Sequence, residues 1–202
     1  MNLIDKTLFE YINEVDSNTP TPGGGSVAAL AGALGVALAK MLAHFSLNKK
    51  KFKEAPVRKQ NQFLVAFDEL SRYREVLVQG IDEDAISYEA VSMAFKSKNP
   101  EEIQRALNAS AMIALEIQQG AFNALKYVSK LIELGNKNLY SDLISSAILL
   151  DSCVEMSSLN VVANATMLTD ENSKNDYLTQ INQMVKKSKS MKNKIIKTIN
   201  NL

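Results

Sequence analysis

The stretch Thr19-Pro20-Thr21-Pro22-Gly23-Gly24-Gly25-Ser26 runs directly into Val27-Ala28-Ala29-Leu30-Ala31-Gly32-Ala33-Leu34-Gly35. Two prolines stiffen the approach and disfavour helix in the residues before them. Three glycines open backbone angles that are closed to other residues. Ser26 is placed to cap the helix that follows. That helix is almost wholly Ala, Gly and Leu, and Gly25, Ala28, Ala29, Gly32 and Gly35 leave a nearly bare stripe. The stripe is expected near a subunit contact. Free N–H groups and a partial positive charge at the helix start suit a carboxylate or phosphate. A turn that only redirects the chain uses the same residues, and both readings stand. No Gly-Lys-Ser/Thr follows at Walker A spacing, and no strand pattern precedes the glycines as a dinucleotide fold requires.

Helical periodicity extends outward on both sides, without a strand signal. Leu3, Ile4, Leu8, Ile12 and Val15 form one stripe, predicting a first helix to about Asp16. The second runs from Ser26 to about Leu47, and Lys49, Lys50, Lys51 and Lys53 form a basic connector. Pro56 suits the first turn of a third helix, which carries Phe63, Leu64, Phe67, Leu70 and Leu77 and continues past Gly80 to about Phe95. Asn99-Pro100-Glu101-Glu102 supplies a cap, a first-turn proline and two acids for a fourth, which ends at Leu134 before Gly135. Ser141-Asp142 caps a fifth helix to about Met167, and Asp170 to Ser173 starts a sixth. The chain reads as all-α, a single-domain bundle of about six helices over residues 1–202.

Composition narrows the function. A formal net charge of +1 gives no argument for nucleic acid or bulk membrane as partner. One cysteine, Cys153, excludes an intrachain disulfide and fits a cytoplasmic setting. Asp5 and Glu10 interrupt any apolar leader, and the run from Val27 to Ala39 is short for a membrane span.

Two further stretches carry candidate chemistry. In Ile81-Asp82-Glu83-Asp84-Ala85-Ile86-Ser87-Tyr88, residues two apart point to nearly opposite helix faces, so Asp82 and Asp84 cannot serve one site. Asp84 shares a face with Ser87, Tyr88 and Val91. A half-buried acid there, with a raised pKa, suits proton transfer; a solvated acidic turn is the plain alternative. Gly135-Asn136-Lys137-Asn138-Leu139-Tyr140-Ser141-Asp142 is a polar loop, either a helix stop and start or a set of amides aimed at a heterocycle. One histidine, His44, and one cysteine cannot build the usual structural zinc site, so no metal is expected.

Together these segments resemble the cyclodeaminase domain of formiminotransferase-cyclodeaminase and its stand-alone relatives, including methenyltetrahydrofolate cyclohydrolases. The resemblance rests on Pro20 to Ala29, on Asp82-Glu83-Asp84-Ala85 with Tyr88, on Gly135-Asn136 with Ser141-Asp142, and on Asn160-Val161. It implies an all-helical fold, a homodimer or larger assembly, and a site partly made between subunits. It also implies a tetrahydrofolate derivative as substrate, with no metal and no tightly bound cofactor. Asp84 would transfer protons. Pro22, Gly23, Gly24, Gly25, Ser26, Tyr88, Asn136, Ser141, Asp142 and Asn160 would form the binding site, and Lys50 and Lys51 would meet an anionic glutamate tail. Two departures stand out: His44 replaces a frequent asparagine, and Asn160-Val161-Val162-Ala163-Asn164 is more polar than the family pattern.

The implied chemistry is hydrolysis of 5,10-methenyltetrahydrofolate to 10-formyltetrahydrofolate, or cyclisation of 5-formiminotetrahydrofolate with loss of ammonia. No formiminotransferase domain is read in the 202 residues, so a separate formiminotransferase partner is the expected source of formimino substrate. The competing expectation is a non-catalytic helical dimer that binds folate or a protein partner.

Overall fold

Thr7 divides the N-terminal stripe that reads as one helix. In the computed structural model, which describes residues 2–202, Leu3–Asp5 is a 3-10 turn and α1 spans Leu8–Val15. The Thr7 side chain accepts from the Glu10 N–H while Glu10 reaches back to the Thr7 backbone, a capping box that starts a new helix. The predicted buried stripe is largely outside: Ile4, Leu8, Ile12 and Val15 are exposed, and Tyr11 is the buried residue of α1.

Six more α-helices follow among the described residues: α2 (Gly24–Leu47), α3 (Lys50–Lys53), α4 (Val57–Ser97), α5 (Pro100–Leu131), α6 (Tyr140–Ala165) and α7 (Glu171–Asn200). No strand occurs among them, as the periodicity requires. The basic connector is itself a helical turn, α3, because Phe52 is drawn into the core beneath its lysines. α4 runs unbroken through Gly80, and α5 starts on its Asn99 cap, which accepts from the Glu101 N–H.

Two helix starts differ from expectation. Gly23, not Ser26, is the N-cap of α2, so Ser26 lies inside the first turn. Ser141 and Asp142 also lie inside a helix. The Asn136 side chain accepts from the Asn138 N–H and caps a 3-10 turn, Lys137–Leu139, which continues into α6 at Tyr140. The side-chain acceptor nearest the end of α5 captures the chain before Ser141 can.

α2 packs against α4 and α6; α5 joins those two, and α7 lies along α6 and α5. The bare stripe of α2 is packed inside the chain, against α4 and α6. A Cβ on Gly32 would fall 2.8 Å from Cys153 Sγ and 3.0 Å from Leu77 Cδ2, and one on Gly35 would fall 3.1 Å from Leu149, Leu150 and the Ser146 carbonyl. Glycine therefore lets α6 and α4 reach the α2 backbone. Around this seam Leu42, Phe63, Leu70, Leu77, Leu125, Leu131, Leu143 and Leu150 are buried, each contributing about 2 kcal/mol. Cys153 is sealed in the same seam, and burial pushes its thiol pKa up to about 12. Buried Asp151 of α6 accepts from Ser188 Oγ at 2.7 Å and pairs with Lys192, tying α7 to the bundle.

By length and apolar character alone, Gly24–Leu47 and Lys137–Ala165 are each sufficient to cross a bilayer, which corrects the shorter estimate made from Val27 to Ala39. The helix is longer than that run because it continues through Lys40 and His44. About half of each apolar window is buried within the bundle.

Candidate active site

The first turn of α2 and the middle of α4 meet at Asp84. Its Oδ2 accepts the Ser26 N–H at 2.9 Å. That N–H is one of the donors a helix start leaves unpaired, so the carboxylate caps α2 from another helix. The anion seat foreseen at the glycine turn is thus filled, for this donor, from within the chain. A Cβ on Gly25 would overlap Asp84 Oδ1, so only glycine permits the approach. Burial raises the Asp84 pKa above the ordinary carboxylate value, and the Ser26 hydrogen bond opposes it in part.

The carboxylate faces a cleft of about 690 Å³. Pro20, Thr21, Gly23, Gly24 and Gly25 form one side. Asp84, Tyr88, Val91, Ser92, Phe95 and Lys96 of α4 form a second, and Ser110 of α5 with Asn160, Ala163 and Asn164 of α6 and Met167 just beyond its end the third. A drug-sized or cofactor-sized ligand fits such a volume.

The expected residues divide into three groups. Gly23, Gly24, Gly25, Asp84, Tyr88 and Asn160 come together in the cleft. Pro22 and Ser26 are buried behind it, which corrects their expected contact with ligand. The Thr21–Pro22 peptide is cis. The Ser26 hydroxyl is 2.9 Å from the Tyr11 hydroxyl, so its side chain ties the turn to α1. Asn136, Ser141, Asp142, Lys50 and Lys51 lie elsewhere. The Asn136 N–H donates to Ser46 Oγ at 2.9 Å, at the C-terminal end of α2. α2 has 24 residues, which places this cluster roughly 35 Å from the glycine turn within one copy. Lys51 stands beside Lys137 there, and burial followed by that neighbour's charge lowers its pKa.

Asp82, as its helical phase predicts, turns from the cleft and accepts the Leu3 N–H. Ser92, Phe95, Lys96, Ser110, Asn164 and Met167 were not anticipated in the site. The signal for the α4 members was available: Asp84, Tyr88, Ser92 and Lys96 are spaced four apart on one face.

Fold and cleft together define an all-α protein in which a desolvated acid at a cleft is held across the start of a glycine-initiated helix. A model of formiminotransferase-cyclodeaminase matches residues 7–183, and the chain belongs to that family. It is 24% identical to the methenyltetrahydrofolate cyclohydrolase of Methylorubrum extorquens over 96% of each chain. It is 27% identical to the formimidoyltransferase-cyclodeaminase of Rattus norvegicus over 94% of its own length, and spans 36% of that longer protein. The crystal structure of formiminotetrahydrofolate cyclodeaminase from Thermotoga maritima superposes with a TM-score of 0.85 at 27% identity, covering 96% of this chain and 98% of that one.

Proposed function

We propose that this chain is a folate one-carbon enzyme that hydrolyses 5,10-methenyltetrahydrofolate or cyclises 5-formiminotetrahydrofolate. The observation that carries the reading is Asp84: a desolvated carboxyl at a ligand-sized cleft, fixed through one oxygen by the Ser26 N–H. The names of the relatives supply the substrate class.

In hydrolysis, water attacks the cationic carbon that bridges N5 and N10, and Asp84, whose charge favours the cation, takes one proton from that water. Asp84 returns this proton to N5 as the C–N5 bond breaks, and the remaining hydroxyl proton is released as the formyl C=O forms. In cyclisation, N10 attacks the formimino carbon and gives up its proton to Asp84, which passes it to the departing nitrogen as that C–N bond breaks and ammonia leaves. The substrate's own amidine-like carbon is the electrophile, so the reading needs no second cofactor and no metal.

The reading includes a homodimer. Within one copy the Asn136 and lysine cluster is a helix length from Asp84, so it serves the same ligand only when a second copy brings it there. Leu34 and Phe45 of α2 and Ile148 of α6 are exposed apolar side chains, a face that supports such a contact. The lysines would then meet the glutamate tail and the cleft would hold the ring system. The test is loss of the near-ultraviolet band of methenyltetrahydrofolate on hydrolysis, and its appearance from formimino substrate on cyclisation. Neither change with purified protein would sink the reading and favour the non-catalytic dimer.

A further inference from the structure

The α6 wall of the cleft contains two asparagines whose amide orientations are fixed by their neighbours. Asn164 Nδ2 donates to the Asn160 carbonyl and to Ser110 Oγ, both at 3.1 Å. Ser110 Oγ lies 3.1 Å from Ser87 Oγ, and Ser87 donates to the Asp84 backbone carbonyl at 2.9 Å. A carbonyl oxygen only accepts, so the chain has one polarity: Asn164 amide to Ser110, Ser110 to Ser87, Ser87 to Asp84. Both hydrogens of the Asn164 amide are used. Turning the amide over would set its oxygen against the Asn160 carbonyl and lose the hydrogen bond to it.

Asn160 is held in the same sense. Its Nδ2 donates to the Met156 carbonyl at 3.1 Å, and its Oδ1 lies toward the glycine turn, 4.0 Å from where a Gly24 Cβ would be. Neither side-chain oxygen has a partner among the described residues, while both residues line the cleft.

We infer that Asn160 and Asn164 present a pair of carbonyl acceptors that bind an N–H-bearing heterocycle edge beside Asp84, with Asn164 as the principal positioning residue. The inference rests on the folate reading, in which the amino and ring N–H groups of the reduced pteridine are the matching donors. Two fixed acceptors repel a phosphate or carboxylate, so this wall receives the ring and not the anionic tail.

The test uses Asn164→Leu, which removes the acceptor at nearly constant size, and Ser87→Ala, which cuts the supporting chain behind Ser110 and keeps the Asn164 amide. The probe is tetrahydrofolate monoglutamate, followed by titration calorimetry, with unfolding temperature measured on every protein. Expected are binding by wild type, roughly tenfold or greater weakening in Asn164→Leu, and binding within about threefold of wild type in Ser87→Ala. With methenyltetrahydrofolate, Asn164→Leu raises KM and leaves kcat nearly unchanged. Unaltered binding in Asn164→Leu, or equal weakening in both variants with a lowered unfolding temperature, overturns the inference while the folate reading survives. Failure of the wild type to bind tetrahydrofolate overturns both.

Discussion

Gly25 and Asp84 share one volume: the space a Cβ would need at Gly25 is already occupied by the Asp84 carboxylate, Oδ1 foremost. The glycine turn is therefore fitted to the acid, and its third residue cannot change without moving it. Gly25→Ala is expected to lower turnover on the order of a hundredfold, as for loss of an acid–base group. Gly24→Ala meets only an ordinary contact, with Asn160 Oδ1 at 4.0 Å, and should keep most of the activity. Measuring both by the methenyl absorbance band checks the pair; equal loss would mean that the turn needs glycine for its backbone alone.

Asp84→Asn keeps the shape of the side chain and removes the proton carrier. Turnover should fall on the order of a hundredfold or more, while Asp82→Asn, which loosens only the N-terminal 3-10 turn, should be mild. Hydrolysis by the wild type should rise with pH as Asp84 ionises, with a midpoint above the ordinary aspartate value of about 3.9, and Asn should abolish that limb.

The same shift has an opposite sign for stability. Burial raises the folded pKa above the unfolded one, so the native state holds the proton more tightly. Stability associated with Asp84 is full below the unfolded pKa and declines as pH rises to the folded value. Asp84→Asn should therefore melt no lower than wild type at neutral pH, an advantage that vanishes toward about pH 4. A variant that melts lower at neutral pH than at acid pH, relative to wild type, would contradict this account.

If each working site joins the Asp84 end of one copy to the Asn136 end of another, two inactive variants complement. Asp84→Asn and Asn136→Ala, unfolded together in equal amounts and refolded, should regain about a quarter of wild-type activity, since half the dimers then hold one intact site of two. No recovery, with mixed dimers verified by mass spectrometry, would place the whole site in one copy.

Lys192→Met leaves the Asp151 carboxylate buried with Ser188 as its remaining partner and should cost about 3 kcal/mol or more. Adding Asp151→Leu should restore much of that loss, because the penalty lies in the orphaned charge. Denaturant unfolding of the single and double variants decides it.

Much of the bundle is legible because its helices carry their own punctuation. Asn99-Pro100 and Asp170 cap as their chemistry requires, and α4 keeps one apolar face through Gly80. The N-terminal break was also written in the chain, as Thr7 three residues before Glu10, but the apolar stripe hides it. What the linear pattern does not carry is where helix ends meet. Ser26 reads as a cap because it follows glycines; only the approach of α4 shows that its backbone, not its side chain, does the work. Asn136, Ser141 and Asp142 read as one site with Asp84 through resemblance, and only the length of α2 shows them to be a rod apart. Asn164 reads only as part of a helix end more polar than the family pattern, because its role depends on Ser110, 54 residues away.

The sealed position of Cys153 turns the only thiol of the chain into a clock. Alkylating reagents attack the thiolate, and a thiol with a pKa of about 12, closed in between Gly32 and Ser157, offers almost none near neutrality. Labelling must wait for α2 and α6 to part. Its rate, followed by mass alone and with no engineered probe, therefore reports how often the centre of the native protein opens, and a ligand that grips the glycine turn should slow it by the factor its affinity dictates.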